Sequence, residues 1–188
     1  MSFTLPKDVR LASHLDAPAL RRLVNTAYKE LADRGLNFTG TYQDEEKTIE
    51  RMRGAEVYLL FREDDLLASI TLEARPATEE DHACLYINQL AVHPNQKRRG
   101  LATYLLELAE ARARSLCLEH LRLDTAIPAT HLVEMYGRRG YRVISEVQWD
   151  GKTYRSFVME KSLVNSASAV SRNGSARHQT IATTPPTN

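Results

Sequence analysis

The segment from Leu85 to Cys117 constrains the fold more than any other part of the chain. Its first part, Leu85 to Val92, is a short apolar run with the length and composition of a buried β-strand. A His-Pro-Asn turn ends the run, because proline lacks an amide donor and asparagine favours turns. From Leu101 onward the apolar residues recur with a helical period. The segment therefore predicts a strand, a basic turn and an amphipathic helix.

The predicted helix has one apolar face, formed by Leu101, Tyr104, Leu105, Leu108 and Leu116. Arg112 falls within this face. We expect its aliphatic stem to lie along the face and its charge to reach solvent.

The approach to this helix carries positive charge where negative charge is usual. Lys97, Arg98 and Arg99 precede the helix, and no acid occurs before Glu107. Gly100 lacks a Cβ atom and lets a ligand approach the backbone closely. These features predict a site for phosphate, and for a pyrophosphate in particular; the alternative is a solvated basic turn before an ordinary helix.

Neither GxxxxGK[ST] nor GxGxxG occurs in the chain, so two common phosphate loops are excluded. The segment from Lys97 to Ala102, KRRGLA, instead resembles the [Q/R]-x-x-G-x-[G/A] loop of the GNAT superfamily of acyl-CoA N-acyltransferases. The preceding LAVHP resembles the strand-end signature of that family. Lys97 departs from the usual Gln or Arg.

A second segment, Tyr136 to Tyr141 (YGRRGY), resembles the family's tyrosine landmark. Ala129 departs from a frequent asparagine and Arg139 from a usual leucine. The predicted element order, β-α-α-β-β-β-α-β-α-β-β, is similar to that of the family over about residues 9–163. The resemblance implies an α/β (α+β) fold, with a central mixed twisted sheet of about six to seven strands flanked by four helices.

The resemblance also implies direct transfer of an acetyl group from acetyl-CoA to a primary amine of a small molecule, peptide or protein in a ternary complex. Helix-start amides would hold the pyrophosphate, and the strand end would pair with the pantetheine arm. The implied donor-binding residues are Leu90, Ala91, Val92, Lys97, Arg98, Arg99, Gly100, Leu101, Ala102 and Thr103.

Two residues are candidates for catalysis. Tyr136 matches the family's tyrosine that protonates the leaving thiolate; the alternative is an aromatic core residue. A tyrosine, with a pKa near 10, suits the role of an acid better than that of a base at neutral pH. Glu73 could act as general base, directly or through water, or be a solvated strand residue. Tyr86, Asn88 and Gln89 could also reach the cleft.

The acceptor pocket is predicted in the loop after the first helix, where Tyr28, Asn37 and Phe38 combine aromatic walls with polar groups. The alternative is that Tyr28 and Phe38 only tie this loop to the core.

Composition limits other functions. Lys and Arg number 25 and Asp and Glu 24, so the net charge of +1 gives no field that would recruit nucleic acid or a membrane. The six histidines lack metal-ligand spacing, and we predict no metal. Cys84 and Cys117 are predicted to be buried free thiols. No apolar stretch suggests a signal peptide or membrane span, so a cytoplasmic protein is expected.

We predict a single domain over residues 1–163 and a disordered tail over 164–188, where hydrophobic content is low. A homodimer is left open. The alternative function is a GNAT-fold module that binds acyl-CoA for regulation without turnover.

Overall fold

The computed structural model describes residues 3–164, which form one seven-stranded sheet and four α-helices. The predicted disordered tail lies outside the described residues, apart from Val164. The predicted mixed sheet and four helices are confirmed. The elements are β1 (Val9–Leu11), α1 (Ala17–Asp33), α2 (Glu45–Met52), β2 (Glu56–Arg62), β3 (Asp65–Arg75), β4 (Cys84–Val92), α3 (Leu101–Ser115), β5 (His120–Ala126), α4 (Thr130–Arg138), β6 (Arg142–Val147) and β7 (Ser156–Ser162).

The strands lie in the order β1-β2-β3-β4-β5-β7-β6. Neighbouring strands are antiparallel except β4 and β5, which run parallel. A parallel connection needs a crossover, and α3 supplies it.

The parallel pair β4–β5 opens along its length. Only Leu85–Ile87 of β4 pair with Leu121–Leu123 of β5. Directly afterwards β4 bulges, since Ile87 and Gln89 face consecutive residues of β3 and leave Asn88 as the extra residue. A bulge bends its strand and increases the local twist. The carboxyl ends of β4 and β5 therefore separate and leave a cleft in the middle of the sheet.

Alternation along the strands gives the sheet two apolar faces. Val57 and Leu59 of β2 pack with Ala91 and the α1 side chains Leu20, Leu23 and Val24. The α3 face is a larger cluster that contains Tyr58, Leu60, Ile70, Leu72, Leu105, Leu106, Leu108, Ala109 and Ala113. Each face buries the side chains that point toward it, as the period of two requires.

Three expectations about the end of α3 are wrong. The helix ends at Ser115, so Leu116 leaves the apolar face and is 37% exposed. Cys117 follows in a left-handed conformation (φ 57°) and is exposed. The Arg112 guanidinium donates to both carboxylate oxygens of Glu56, at 2.5 and 2.8 Å, instead of reaching solvent. The partner comes from β2, which is distant in sequence.

Among residues 3–164, no helix combines the length and the apolar character needed to cross a membrane.

Candidate active site

The cleft between β4 and β5 is a cavity of about 730 Å³. Its walls come from the separated strand ends, the loop before α3, and helices α1 and α4. Of the predicted donor-binding residues, it is lined by Leu90, Val92, Lys97, Arg98, Gly100, Leu101, Ala102 and Thr103.

Ala91 and Arg99 are not among the lining residues. Ala91 is buried against α1 on the opposite side of β4, because successive strand side chains point to opposite faces. Arg99 is exposed at the turn. The roles of these two residues in donor binding stay predictions.

The turn before α3 exposes the first amides of the helix to the cavity side. Gly100 is the N-cap residue, with φ 83°, and no side chain caps the helix. Arg98 also has a positive φ, 63°. Helix-start amides without a side-chain cap remain available to a ligand.

The three cations of this turn are not equivalent. Lys97 Nζ donates to Glu30 of α1 at 2.6 Å, so its charge is partly compensated. Arg98 and Arg99 form no ion pair with a carboxylate of residues 3–164. Two of the three cations in this turn therefore remain without a carboxylate partner among these residues.

Tyr136 reaches the cavity from α4 and is 8% exposed. Its ring packs edge-to-face on Tyr141, with centroids 5.7 Å apart. Burial, and then the neighbouring Tyr28, Tyr141 and Asp124, raise the pKa of the Tyr136 hydroxyl. Tyr136 therefore keeps its proton at neutral pH and can serve as a proton donor, while most of its ring belongs to the core.

Glu73 lies outside the cavity. Its Oε2 accepts from Asn88 Nδ2 at 2.8 Å and from Arg75 at 3.1 Å. The bond from Asn88, with that from Arg75, lowers the pKa of Glu73 against the opposing effect of burial. With this carboxylate outside the cavity, the catalytic role of Glu73 stays a prediction.

Sequence reasoning missed Asp124, which lines the cavity near the end of β5. Its Oδ1 accepts from the Tyr86 hydroxyl at 2.7 Å, and its Oδ2 accepts from Trp149 Nε1 at 3.0 Å. These two bonds hold the carboxylate in one orientation. A lone acid in the otherwise largely apolar half-strand LDTA is the sequence signal that could have identified it.

The predicted acceptor residues separate into two groups. Tyr28 and Phe38 line the cavity, with ring centroids 5.8 Å apart, and the Tyr28 hydroxyl donates to Leu90 O at 3.3 Å. Asn37 turns away, since its Nδ2 donates to Gly151 O at 2.8 Å and its Oδ1 accepts from Thr153 N at 3.0 Å. Asn37 fixes the β6–β7 loop.

A second cavity of about 320 Å³ adjoins the first. Tyr28, Phe38 and Asp124 line both cavities. The second cavity is otherwise enclosed by α2, by β3 and β4, and by the β6–β7 loop, and its lining includes Arg51, Arg75, Tyr86, Asn88, Trp149, Lys152 and Tyr154.

Away from the cleft, His82, His120 and Glu160 offer ligand atoms within 4.8 Å of one another. Sequence spacing did not reveal this cluster, because β5, β7 and the loop before β4 assemble it. Arg122 already supplies a cation there, donating to Glu160 Oε2 at 2.6 Å. The absence of a metal stays a prediction.

Comparison with known proteins agrees with this architecture. The model of the acetyltransferase (GNAT) family matches residues 19–141. The S-alkylcysteine N-acetyltransferase of Bacillus subtilis (strain 168) is 29% identical over 147 residues, which cover 76% of this chain and 82% of the relative.

Solved structures share the fold at low identity. The ribosomal-protein-S18-alanine N-acetyltransferase of Escherichia coli superposes with a TM-score of 0.65 at 14% identity, covering 82% of this chain and 92% of that one. A GNAT family acetyltransferase from Elizabethkingia anophelis with acetyl-CoA bound gives a TM-score of 0.58 at 16% identity, with 84% and 100% covered.

Proposed function

Because the chain belongs to the acetyltransferase (GNAT) family, we propose that it transfers an acetyl group from acetyl-CoA to the primary amine of a small molecule. Family membership makes the chain an N-acetyltransferase of the acyl-CoA-dependent class. The identity of the acceptor and the direct transfer within a ternary complex are our proposals.

The observation that carries the proposal is the junction of the two cavities. Tyr28, Phe38 and Asp124 border both, so a donor in the larger cavity and an acceptor in the smaller one would meet beside these residues. Two adjoining sites favour direct transfer, because both reactants can be held at once in reactive proximity. Within residues 3–164, neither cysteine lines these two cavities, so no thiol is placed to carry the acetyl group.

The donor side fits acetyl-CoA. Uncapped amides at the start of α3, with Arg98 and Arg99 nearby, suit a pyrophosphate. The edge of β4 that β5 leaves unpaired, residues 88–92, suits the amide-bearing pantetheine arm. This edge leads from the helix start back to the level of Asp124, which follows the last paired residue of β5. Acetyl-CoA supplies the activated thioester carbonyl.

Asp124 at the junction and Tyr136 in the larger cavity carry out the proton transfers. The oriented Asp124 carboxylate binds the acceptor's ammonium and takes a proton from it, which frees the nitrogen lone pair. After the C–N bond forms, the nitrogen loses a second proton. Tyr136 donates its proton to the departing thiolate and is restored by that second proton, while Asp124 releases the first proton to solvent. The new bond is C–N and the broken bond is C–S. The overall products are the amide, the free thiol of CoA and one proton.

The Bacillus subtilis relative acts on S-alkylcysteine, which carries a primary amine on a small molecule. The smaller cavity, at about 320 Å³, is at the lower end of the range for small-molecule sites. Both points support a small molecule over a folded protein as acceptor.

The test is release of free thiol from acetyl-CoA, measured with amino acids, polyamines, aminoglycosides and peptides with free amino termini, after CoA binding is confirmed by thermal shift. We expect release with at least one class of small amine, and a mass increase of one acetyl group in the product. Gly100→Glu is the matched control that should lose both thermal shift and release.

Intersecting initial-velocity patterns are expected for a ternary complex, and parallel ones would contradict direct transfer. A thermal shift without release across the whole panel would contradict the proposal and favour the acyl-CoA-binding module.

A further inference from the structure

The smaller cavity has an unusual charge for a site that receives an amine. Arg51, Arg75 and Lys152 all line it, and Asp124 is its one lining carboxylate within the described chain. An acceptor that carried only an ammonium group would meet more positive than negative charge. The charge balance instead suits an acceptor that also carries a negative group.

The loop between α1 and α2 uses all the hydrogen-bond donors of the Lys152 ammonium. Lys152 Nζ donates to Asn37 O at 2.9 Å, to Thr39 Oγ1 at 3.1 Å and to the Tyr42 hydroxyl at 3.3 Å. An ammonium has three donors, so Lys152 has none left for a ligand.

Arg51, in contrast, keeps a buried hydrogen-bond donor without a partner among residues 3–164. Its Nη2 donates to Asn88 O at 3.1 Å, and its buried Nε has no hydrogen-bond partner among residues 3–164. It forms no ion pair with any carboxylate in that part of the chain. Buried donors of a charged group without partners are costly, so this guanidinium is suited to an anion that arrives with the ligand.

Arg75 lies close to Arg51. Its Nη2 donates to Glu73 Oε2 at 3.1 Å, so its charge is partly compensated, while Arg51 has no such partner among residues 3–164. The same Arg75 Nη2 is 3.4 Å from Asn88 Oδ1, so both guanidinium groups contact the same asparagine. Its guanidinium also stacks on Tyr86, 3.4 Å from the ring centroid, which fixes the plane of the group. A planar guanidinium held in this way matches a carboxylate.

Tyr86 links the cationic and anionic ends of the cavity. Arg75 covers its ring face, and its hydroxyl donates to Asp124 at 2.7 Å. One tyrosine ring therefore separates the two ends. In an α-amino acid, two bonds of about 1.5 Å join the nitrogen to the carboxyl carbon. With a hydrogen bond of about 2.9 Å at each end, such a molecule has a reach comparable to one tyrosine side chain with its hydroxyl contact.

Resting on the proposed function, we propose that the acceptor is an α-amino acid, with its carboxylate held by Arg51 and Arg75 and its ammonium by Asp124. Its side chain would lie against Phe38, Trp149 and Tyr154, which favours an apolar group of moderate size. Polyamines and aminoglycosides are disfavoured, because they add positive charge beside the arginines.

The test compares matched sets of acceptors at saturating acetyl-CoA. Leucine, methionine and phenylalanine are each measured with their carboxamide and their decarboxylated amine, which keep the side chain and remove the negative charge. We expect kcat/KM for the preferred acid to exceed that of both analogues by about 30- to 100-fold. The KM of acetyl-CoA should not differ among the three.

Arg51→Met keeps most of the apolar stem and removes the guanidinium. We expect it to reduce the acid-to-amine preference to below about threefold, mainly through the KM of the acid, and Arg75→Met provides a second test. Arg53→Met is the control, since Arg53 is exposed just after α2 and lies outside the cavity. A thermal shift with CoA verifies that each variant is folded.

Each result has one meaning. Equal or faster turnover of the carboxamides and amines would overturn the amino-acid inference and leave the proposed function intact. An undiminished preference in both arginine variants would overturn the assignment of the carboxylate site. No thiol release with any amine of the earlier panel would overturn the proposed function itself.

Discussion

Gly100 offers a substitution that separates charge from structure at the predicted pyrophosphate site. Its φ of 83° is left-handed, so any side chain there costs about 1–2 kcal/mol in backbone strain. A Cβ atom at this position meets no heavy atom within 4 Å. Gly100→Glu and Gly100→Gln therefore share the same strain and nearly the same shape, and they differ in one negative charge.

The size of the charge effect follows from Coulomb's law. A carboxylate about 6 Å from one phosphate charge, at an effective dielectric constant of about 20–40, is repelled by about 1.5–3 kcal/mol. The Kd of CoA should therefore be about 10- to 100-fold weaker for Gly100→Glu than for Gly100→Gln. The difference should shrink in 1 M salt, where the Debye length is about 3 Å.

The assay is calorimetric titration of CoA into both variants at low and high salt, with thermal unfolding to show that they are equally stable. Equal Kd values at low salt would mean that no phosphate lies beside Gly100. The interpretation of residues 97–102 as the phosphate loop would then be refuted.

Tyr136→Phe should lower kcat about 10- to 100-fold with less than a twofold change in the KM of acetyl-CoA; an unchanged kcat would leave Tyr136 as a core residue only. The bond from Arg10 lowers the pKa of Asp16 to about 2, so Asp16→Asn should lose about 1 kcal/mol of unfolding free energy above pH 5, after allowance for the half-exposed arginine. This deficit should shrink in urea titrations as the pH falls below about 4 and vanish below about pH 2; a deficit independent of pH would contradict it. Arg122→Leu leaves two carboxylates without their partner and should cost about 2–4 kcal/mol in urea unfolding. Arg155→Leu, at a 60% exposed side chain, should cost less than about 0.5 kcal/mol, and equal losses would contradict this reasoning.

The fold was predictable because its signals are local. The short apolar runs of β2 and β4, the apolar stripe of α1 and the glycine at the start of α3 are each visible within a dozen residues. The helix stop at Ser115 was missed because Leu116 continues the apolar spacing. The helix ends in a turn whose left-handed residue is Cys117, after which Leu118 N donates to Ala113 O at 2.9 Å, and no glycine marks this turn in the sequence.

The candidate site was predictable mainly on its donor side, where the contributing residues are consecutive, although Tyr28 and Phe38 of the predicted acceptor pocket also line both cavities. The smaller cavity draws Arg51, Arg75, Asp124 and Lys152 from four separate elements. No residue spacing in the sequence indicates that these four charged side chains line one cavity. Asn37 shows the opposite error. It lies in the loop where the acceptor pocket was predicted, but backbone atoms of the β6–β7 loop satisfy its hydrogen bonds, so it does not line either cavity.

The parting of β4 and β5 divides the sheet into a four-stranded part and a three-stranded part that share only three rows of residue pairs. A molecule that lies in the gap contacts both parts of the sheet and so stabilises their arrangement. We therefore expect CoA to slow amide hydrogen exchange most in residues 88–92 and 124–126, on both sides of the gap, and to stabilise the chain against unfolding by binding the native state alone. The donor would thus complete a sheet that the polypeptide leaves unfinished.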